Sequence, residues 1–295
     1  MRGVGWIGSL LLATACVTAH AQFLDTAPFD VPAVSATAAP DDAAAVAPGA
    51  GPEAPFSLTY LDLIWNDAKE TARWPLAWDR NDWRNLGLIG GGLVLTGAFL
   101  DKPIKRAAQR GRNHGSDQFF VDVQRFGTKS YELPVLIGFY AYGAAAHDDE
   151  AKATALDGFS ASIVASLVTS VIKGVSGRAR PNTGFGPGHF RPFQGDQSFP
   201  SGHTTGAFAV ASVIGAHYDN PWVDATAYGV ASLVAVARVR LNAHWTSDVL
   251  GGAVVGGFIG HHLVEFNRRW RAEHETAWMP ELDTDGQQLL LTWRY

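Results

Sequence analysis

Six stretches of the chain are almost continuously apolar, and polar or charged segments separate them. They are rich in Ala, Gly, Val and Ser, and such small residues let helices pack closely together. The pattern predicts an all-α protein, a helical bundle of about six core helices. The six stretches are Leu86–Leu100, Leu133–Ala146, Phe159–Ile172, Thr204–His217, Val223–Ala237 and Val249–Val264.

The length of these stretches bears on whether the bundle crosses a membrane. A spanning helix needs ~20 consecutive apolar residues, and each of the six stretches is shorter than that. We therefore expect a water-soluble or membrane-peripheral bundle whose apolar stretches form its core.

The N-terminal segment differs from the bundle in composition. Met1–Ala21 has an early basic residue, an apolar centre and a small-x-small ending, which is typical of a secretory signal peptide. Residues 22–55 are dominated by Ala, Pro, Asp and Val, and we expect them to be a disordered linker. Cys16 follows three small residues, so lipidation there is an alternative to cleavage after Ala21. The predicted localisation is export to the periplasm, with membrane association left open.

The remaining chain divides into a helical domain and a short tail. The domain is predicted to cover residues 56–279, with a catalytic core at 158–265. Residues 280–295 are predicted to form a turn and a short C-terminal β-strand, because apolar residues alternate from Leu289 to Tyr295. A candidate pairing partner for that strand is Phe56–Tyr60.

The charge of the chain excludes one class of partner. The formal net charge is −5, and the basic residues form no runs of the kind that bind nucleic acid. We therefore expect no DNA or RNA partner.

The stretch Pro200-Ser201-Gly202-His203 lies between a loop rich in Gly and Pro and an apolar helix. A turn of small residues leading into a helix exposes backbone N–H groups and the positive end of the helix dipole, which suits a phosphate-sized anion. Ser201 Oγ and the Gly202 N–H would add neutral donors, and a glycine lets the backbone approach the anion closely. Three cations flank this turn and could neutralise the oxygens of a transferring phosphoryl group. They are Lys173, Arg180 and Arg238.

Two histidines could carry the remaining chemistry. His244 and Asp248 are four residues apart, so the carboxylate can reach the ring if a helix begins there. Such a contact would fix the tautomer and raise the basicity of the other ring nitrogen. His203 is a candidate acid–base group beside the anion.

In combination these residues resemble the three-part signature of the type 2 phosphatidic acid phosphatases, over about a third of the chain. That superfamily also contains class A acid phosphatases and vanadium haloperoxidases. The resemblance implies a metal-independent phosphoric ester hydrolase acting on a phosphorylated lipid, a lipid diphosphate or a small phosphate ester. It also implies that His244 is the nucleophile that becomes phosphohistidine, that Asp248 orients it, and that His203 protonates the leaving group. The signature is Lys173 followed after six residues by Arg180-Pro181, then Pro200–His203, then Arg238 with His244 and Asp248.

One position departs from the family pattern, and several alternatives stay open. The family usually has Ser where this chain has Ala237, so we expect somewhat weaker anion binding. Vanadate could occupy the phosphate site, which leaves a haloperoxidase as an alternative, and a non-catalytic phospholipid-binding envelope protein is another. A serine hydrolase built on Ser201 is disfavoured because the flanking glycines are missing. A zinc site at His203, His244 and Asp248 is disfavoured by the three neighbouring cations.

Other polar residues are interpreted as structural. His189 and the pair His261-His262 belong to this group, with substrate contact from the loop as an alternative for His189. The segment Asp101–Ile104 and the basic residues after it are interpreted as a solvated helix end, with a loop over the mouth of the site as the alternative.

Overall fold

The computed structural model describes residues 58–195, 197–275, 280–282 and 289–291, and within them nine α-helices follow one another. The predicted all-α fold is confirmed. Short 3₁₀ turns occur at Trp74–Leu76, Gln124–Gly127 and Pro181–Thr183, and a π-helical turn at Thr96–Leu100. The helices are α1 (Leu58–Arg73), α2 (Arg80–Leu95), α3 (Asp101–Gln109), α4 (His114–Val123), α5 (Lys129–Ala146), α6 (Asp149–Ser176), α7 (Gly202–His217), α8 (Pro221–Arg240) and α9 (Thr246–Glu275).

Helix α7 lies at the centre of the bundle. One core cluster joins it to α8 and α9 through Phe208, Val234 and Val249. A second cluster joins it to α6 and α9, and it includes Val164 and Leu263. Burial of these side chains holds α6, α8 and α9 around α7, each residue contributing ~1.5–3 kcal/mol of transfer free energy.

Glycines on one face of α9 set the distance between α9 and α7. At Gly256 and Gly260, an added Cβ would overlap the backbone carbonyl oxygens of Thr205 and Ala209. The two backbones are therefore in direct contact, an arrangement that small residues at every fourth position allow. The first turns of both helices are held side by side as a result.

The end of α6 is shaped by a glycine in the left-handed region. Gly177 has φ +51, and a Cβ there would overlap the carbonyl oxygen of Arg191. Its N–H donates to the carbonyl oxygen of Lys173 at 2.9 Å and closes the helix. The chain then turns into the loop that leads to α7.

The C-terminal strand is present, but its predicted partner is wrong. Leu289–Leu291 (β2) pairs antiparallel with Pro280–Leu282 (β1). Leu58 to Tyr60 instead begin α1, where the Tyr60 hydroxyl donates to the carbonyl oxygen of Leu156 at 2.7 Å.

Three of the described helices are long and apolar enough to cross a membrane, namely α6, α8 and α9 as far as Ala272. Large apolar side chains are also exposed along the bundle, among them Leu88, Ile137, Val171 and Leu233. Exposed apolar surface on this scale marks contact with lipid or another protein. The predicted exported, periplasmic localisation is therefore wrong, and so is the expectation of a bundle whose apolar stretches are only core. The predicted signal peptide, Cys16 and the linker lie outside the described residues.

Candidate active site

The ends of four helices bring the predicted site residues together. The last turn of α6 carries Lys173, the first turn of α7 carries His203, the last turn of α8 carries Arg238, and the first turn of α9 carries Asp248. His203 interacts electrostatically with Lys173, Arg180, Arg238 and His244. Residues up to 75 positions apart in the sequence, Lys173 and Asp248, thus share one small region at one end of the bundle.

Ser201 and Gly202 lie where α7 meets the start of α9. The Ser201 N–H donates to the Asp248 carbonyl oxygen at 2.9 Å, and Ser201 Oγ accepts from Thr204 Oγ1 at 3.0 Å. The Ser201 side chain makes no capping bond to α7, so the first N–H groups of that helix stay available to an anion. A Cβ at Gly202 would lie 3.8 Å from Lys173 Cε, an ordinary contact. A side chain at position 202 would therefore not clash within the protein. The predicted need for a glycine there concerns only the approach of an anion to the backbone.

A backbone carbonyl, rather than Asp248, makes the close contact with His244. His244 Nδ1 lies 2.8 Å from the Ser198 carbonyl oxygen and 3.7 Å from Asp248 Oδ2. A carbonyl oxygen can only accept, so Nδ1 carries the proton and Nε2 keeps its lone pair. The tautomer expected for a nucleophile is thereby set by the loop before α7.

Asp248 is fully buried and makes contacts that the sequence did not indicate. Its Oδ1 accepts from Arg178 Nη1 at 2.5 Å, and its Oδ2 accepts from Ser198 Oγ at 2.5 Å and from the Trp245 N–H at 2.8 Å. Asp248 therefore ties the loop before α7 to the turn that carries His244. Neither Arg178 nor Ser198 is among the predicted site residues.

Burial and positive charge keep both histidines neutral in the protein without a bound anion. Burial, with Arg238, His244, Arg180 and Lys173 nearby, lowers the pKa of His203 to about 3. Burial lowers the pKa of His244 to about 4, although the nearby Asp248 carboxylate opposes the shift. A phosphate dianion among these cations would favour the imidazolium form and raise both pKa values.

Arg238 keeps one donor without a partner. Its Nη1 donates to Gln124 Oε1, while its buried Nε has no hydrogen-bond partner among the described residues. Buried polar groups are normally paired, so this donor suits a ligand oxygen. The neighbouring Ala237 is fully buried, and the weaker anion binding expected from it stays a prediction.

The segment before the motifs is solvated only in part, because Arg106, Arg110 and Arg112 are exposed whereas its first residue is buried. Asp101 is fully buried, Lys105 Nζ donates to the Pro181 carbonyl oxygen at 2.5 Å, and the same ammonium lies 5.1 Å from the Trp245 ring centre. The start of α3 therefore packs against two of the motifs. Asp101 directly follows the apolar stretch Leu86–Leu100 and precedes Lys102, so its place in the sequence is that of a helix end and carries no signal of burial.

Two of the histidines interpreted as structural make ring contacts. His189 stacks on Phe185 at 4.1 Å, and His262 stacks on Trp74 at 3.4 Å between ring centres. Within the described part of the chain, no three His, Cys, Asp or Glu residues are grouped as metal ligands.

The sequence profile of the PAP2 superfamily matches residues 155–272, which include every predicted motif from Lys173 to Asp248. The chain carries a PAP2-superfamily domain. This PAP2 domain lies in α6 to α9, the helices that surround the candidate site. The resemblance to the type 2 phosphatidic acid phosphatases is confirmed.

Relatives of the PAP2 domain include lipid A 1-phosphatases. The chain is 46% identical over 65 residues to that of Porphyromonas gingivalis, covering 21% of this chain and 15% of the relative. It is 33% identical over 108 residues to the lipid A 1-phosphatase of Rhizobium etli, and this alignment covers 34% of this chain and 44% of the relative. The alignments thus span less than half the length of either relative.

Two solved structures are also similar. One is Aquifex aeolicus LpxE, with 21% identity and a TM-score of 0.44 over 56% of this chain and 95% of that one. The other is the first transmembrane PAP2 type phosphatidylglycerolphosphate phosphatase from Bacillus subtilis, with 22% identity and a TM-score of 0.46 over 61% and 94%.

Proposed function

We propose that the protein is a metal-independent phosphatase that hydrolyses a lipid phosphate through a phosphohistidine at His244. The observation that carries this proposal is the 2.8 Å contact between His244 Nδ1 and the Ser198 carbonyl oxygen. It leaves the Nε2 lone pair available for attack on phosphorus, in a region surrounded by cations. Lys173, Arg180 and Arg238 bind the phosphoryl oxygens, with Ser201 Oγ and the Gly202 N–H as neutral donors.

The reaction then takes two steps. In the first, His244 Nε2 forms a bond to phosphorus, the bond to the leaving oxygen breaks, and that oxygen takes a proton from His203. In the second, His203 accepts a proton from water while the water oxygen attacks phosphorus and the N–P bond breaks. His203 is neutral without an anion, so it acquires its proton when the phosphate dianion binds and raises its pKa.

The substrate class follows from two observations. The relatives from Porphyromonas gingivalis and Rhizobium etli are lipid A 1-phosphatases. In addition, three helices of this chain are long and apolar enough to lie in a membrane. A lipid phosphate held at the end of a membrane bundle fits both, and lipid A is the first substrate to test. Small phosphate esters and lipid diphosphates are the further substrates.

The test uses the full chain in detergent micelles. We expect phosphate release from lipid A, and a base-stable, acid-labile phosphorylated protein after a rapid quench. His244→Ala should abolish both, whereas His114→Ala, at an exposed histidine that begins α4, should change neither.

Two results would overturn the proposal. If the purified chain releases no phosphate from lipid A, phosphatidate or p-nitrophenyl phosphate but brominates with vanadate and peroxide, it is a haloperoxidase. If His244→Ala retains the activity of the unmodified chain, hydrolysis does not pass through His244, and a phospholipid-binding role becomes the better explanation.

A further inference from the structure

Arg178 is a buried arginine, and each of its three side-chain nitrogens has a hydrogen-bond partner within the protein. Its Nε donates to the Pro187 carbonyl oxygen at 2.8 Å. Its Nη1 donates to Ser247 Oγ at 2.7 Å and to Asp248 Oδ1 at 2.5 Å, and its Nη2 donates to Asp101 Oδ2 at 2.7 Å. All three nitrogens have partners, so Arg178 is not one of the cations available to a phosphate.

Asp101 holds the other side of this arrangement. It is fully buried, its Oδ1 accepts from the Ser247 N–H at 2.9 Å, and its Oδ2 accepts from Ser247 Oγ at 2.7 Å as well as from Arg178. Ser247 is the second residue of α9. A carboxylate from a distant part of the chain therefore binds a free N–H at the start of the helix that carries Asp248.

The pair connects to His244 through a short series of contacts. Arg178 binds Asp248 Oδ1, and Asp248 Oδ2 accepts from Ser198 Oγ at 2.5 Å. The carbonyl oxygen of the same Ser198 holds His244 Nδ1 at 2.8 Å. A shift of Asp248 would therefore move both the loop and the ring that the loop orients.

From these contacts we infer that Arg178 and Asp101, which we call the Arg178–Asp101 clamp, are positioning residues for His244. The clamp fixes Asp248 and the first turn of α9, and through Ser198 it fixes the tautomer and direction of the His244 ring. It makes no contact with the phosphoryl group. The inference rests on the proposed function, because it assigns the clamp to the nucleophile of that reaction.

Substitutions in the clamp should affect turnover more than binding. Arg178→Lys replaces a planar fork by a single ammonium, which cannot bridge Asp101 and Asp248. In Asp101→Asn, an NH₂ group replaces one carboxylate oxygen. In one orientation this NH₂ group faces the donors of Arg178 and the Ser247 hydroxyl, and in the other it faces the Ser247 N–H at the start of α9. We expect either change to lower kcat about 10- to 100-fold, because ring misplacement by a fraction of an ångström is costly. The KM should stay within about twofold, since Lys173, Arg180 and Arg238 remain.

Matched controls come from an exposed pair in the same chain. Arg112 binds Asp117 at 2.8 Å, with both side chains partly exposed. Arg112→Lys and Asp117→Asn make the same chemical changes in a pair that has no hydrogen bond to a predicted site residue, and we expect kcat and KM to stay as in the unmodified protein. The double variant Arg178→Lys/Asp101→Asn should lose no more than the worse single variant, because residues that act as a unit are not additive.

A second measurement separates positioning from folding and from the proposed reaction. The ¹⁵N spectrum of the full chain in micelles should show His244 as the Nδ1–H tautomer, and Arg178→Lys should yield a mixture of tautomers. Ser247→Ala, a smaller change, should lower kcat a few-fold at an unchanged unfolding temperature.

The outcomes are distinguishable. If the unmodified chain lacks phosphatase activity, the proposed function fails, and the His244 spectrum alone decides on the clamp. If folded Arg178→Lys, Asp101→Asn and Ser247→Ala keep the kcat of the unmodified protein and a single Nδ1–H tautomer, the clamp is only structural and the inference is wrong. If Arg178→Lys and Asp101→Asn fail to fold, Ser247→Ala decides in the same way.

Discussion

Gly252 controls how closely the start of α9 can approach the phosphate-binding turn. An added Cβ there would lie 2.8 Å from the Ser201 carbonyl oxygen, and 3.2 Å from both Thr204 Cβ and Thr205 Oγ1. The nearest of these atoms belongs to the backbone, so no side-chain rotation relieves the contact. In Gly252→Ala, α7 and α9 must move apart at the site.

The size of the effect follows from these distances. An ordinary contact begins at 3.4 Å, so the Ser201 carbonyl must move by about 0.6 Å. Overpacking of this kind costs ~1–3 kcal/mol, while alanine in place of a helical glycine returns ~0.5–1 kcal/mol. We expect a net loss of about 1 kcal/mol in the free energy of unfolding. A displacement of 1 Å costs ~100-fold in rate, so about tenfold in kcat is expected here.

The assay compares Gly252→Ala with Gly229→Ala. Gly229 lies inside α8, and nothing is within 4 Å of the position its Cβ would take. Thermal unfolding in detergent and kcat on lipid A are measured for both variants. Gly229→Ala should be at least as stable as the unmodified protein and equally active. If Gly252→Ala matches Gly229→Ala in both respects, α7 and α9 are not in backbone contact at the site and the reasoning fails.

Three further predictions concern charge and the membrane. Because the pKa values of His203 and His244 lie at about 3 and about 4, below the ordinary 6.5, the unfolded chain binds protons that the folded chain does not. The free energy of unfolding should therefore fall as the pH drops from 6.5 through 4. Saturating inorganic phosphate should make this fall less steep, and a pH dependence that phosphate does not change would contradict the prediction. Asp157 is fully buried against Arg271 at 2.6 Å, so Arg271→Met should cost ~3–5 kcal/mol in denaturant unfolding, whereas the exposed Arg73→Met should cost under about 0.5. Equal losses in the two variants would argue against a buried ion pair. The three apolar helices predict that the protein stays with membranes through an alkaline carbonate wash and is released by detergent; recovery in the wash would contradict them.

The sequence predicts those site residues that belong to a motif or lie close together along the chain. Lys173, Arg180 and Arg238 are predicted as a set, and His203 interacts with all three in the structure. Arg178 and Asp101 could not be paired in this way, because they lie 77 residues apart and no neighbouring residue in the sequence indicates that either is buried. The contact of His244 was also missed, since a backbone carbonyl leaves no signature in a sequence.

The membrane prediction failed for a related reason. An apolar run ends at the nearest charged residue, which limits the predicted stretch in α6 to Phe159–Ile172, between Asp157 and Lys173. The helix itself covers 28 residues, Asp149–Ser176, because the carboxylate of Asp157 is neutralised inside the bundle. A buried and paired charge does not end a helix, although it does end an apolar run.

Two charged residues of α6, Asp157 in its first half and Lys173 in its last turn, differ in how their charges are balanced, and this bears on the proposed substrate. Asp157 binds both His217 and Arg271, whereas Lys173 lies close to Arg180 and Arg238. The two residues are about 24 Å apart along the helix at ~1.5 Å per residue, close to the ~30 Å of a hydrocarbon core. In a membrane the balanced cluster would therefore lie near one boundary and the cationic site near the other. Lipid phosphates occupy such a boundary, so this placement supports the proposed reaction, in which a phosphorylated lipid would reach His244 while its acyl chains stay in the bilayer.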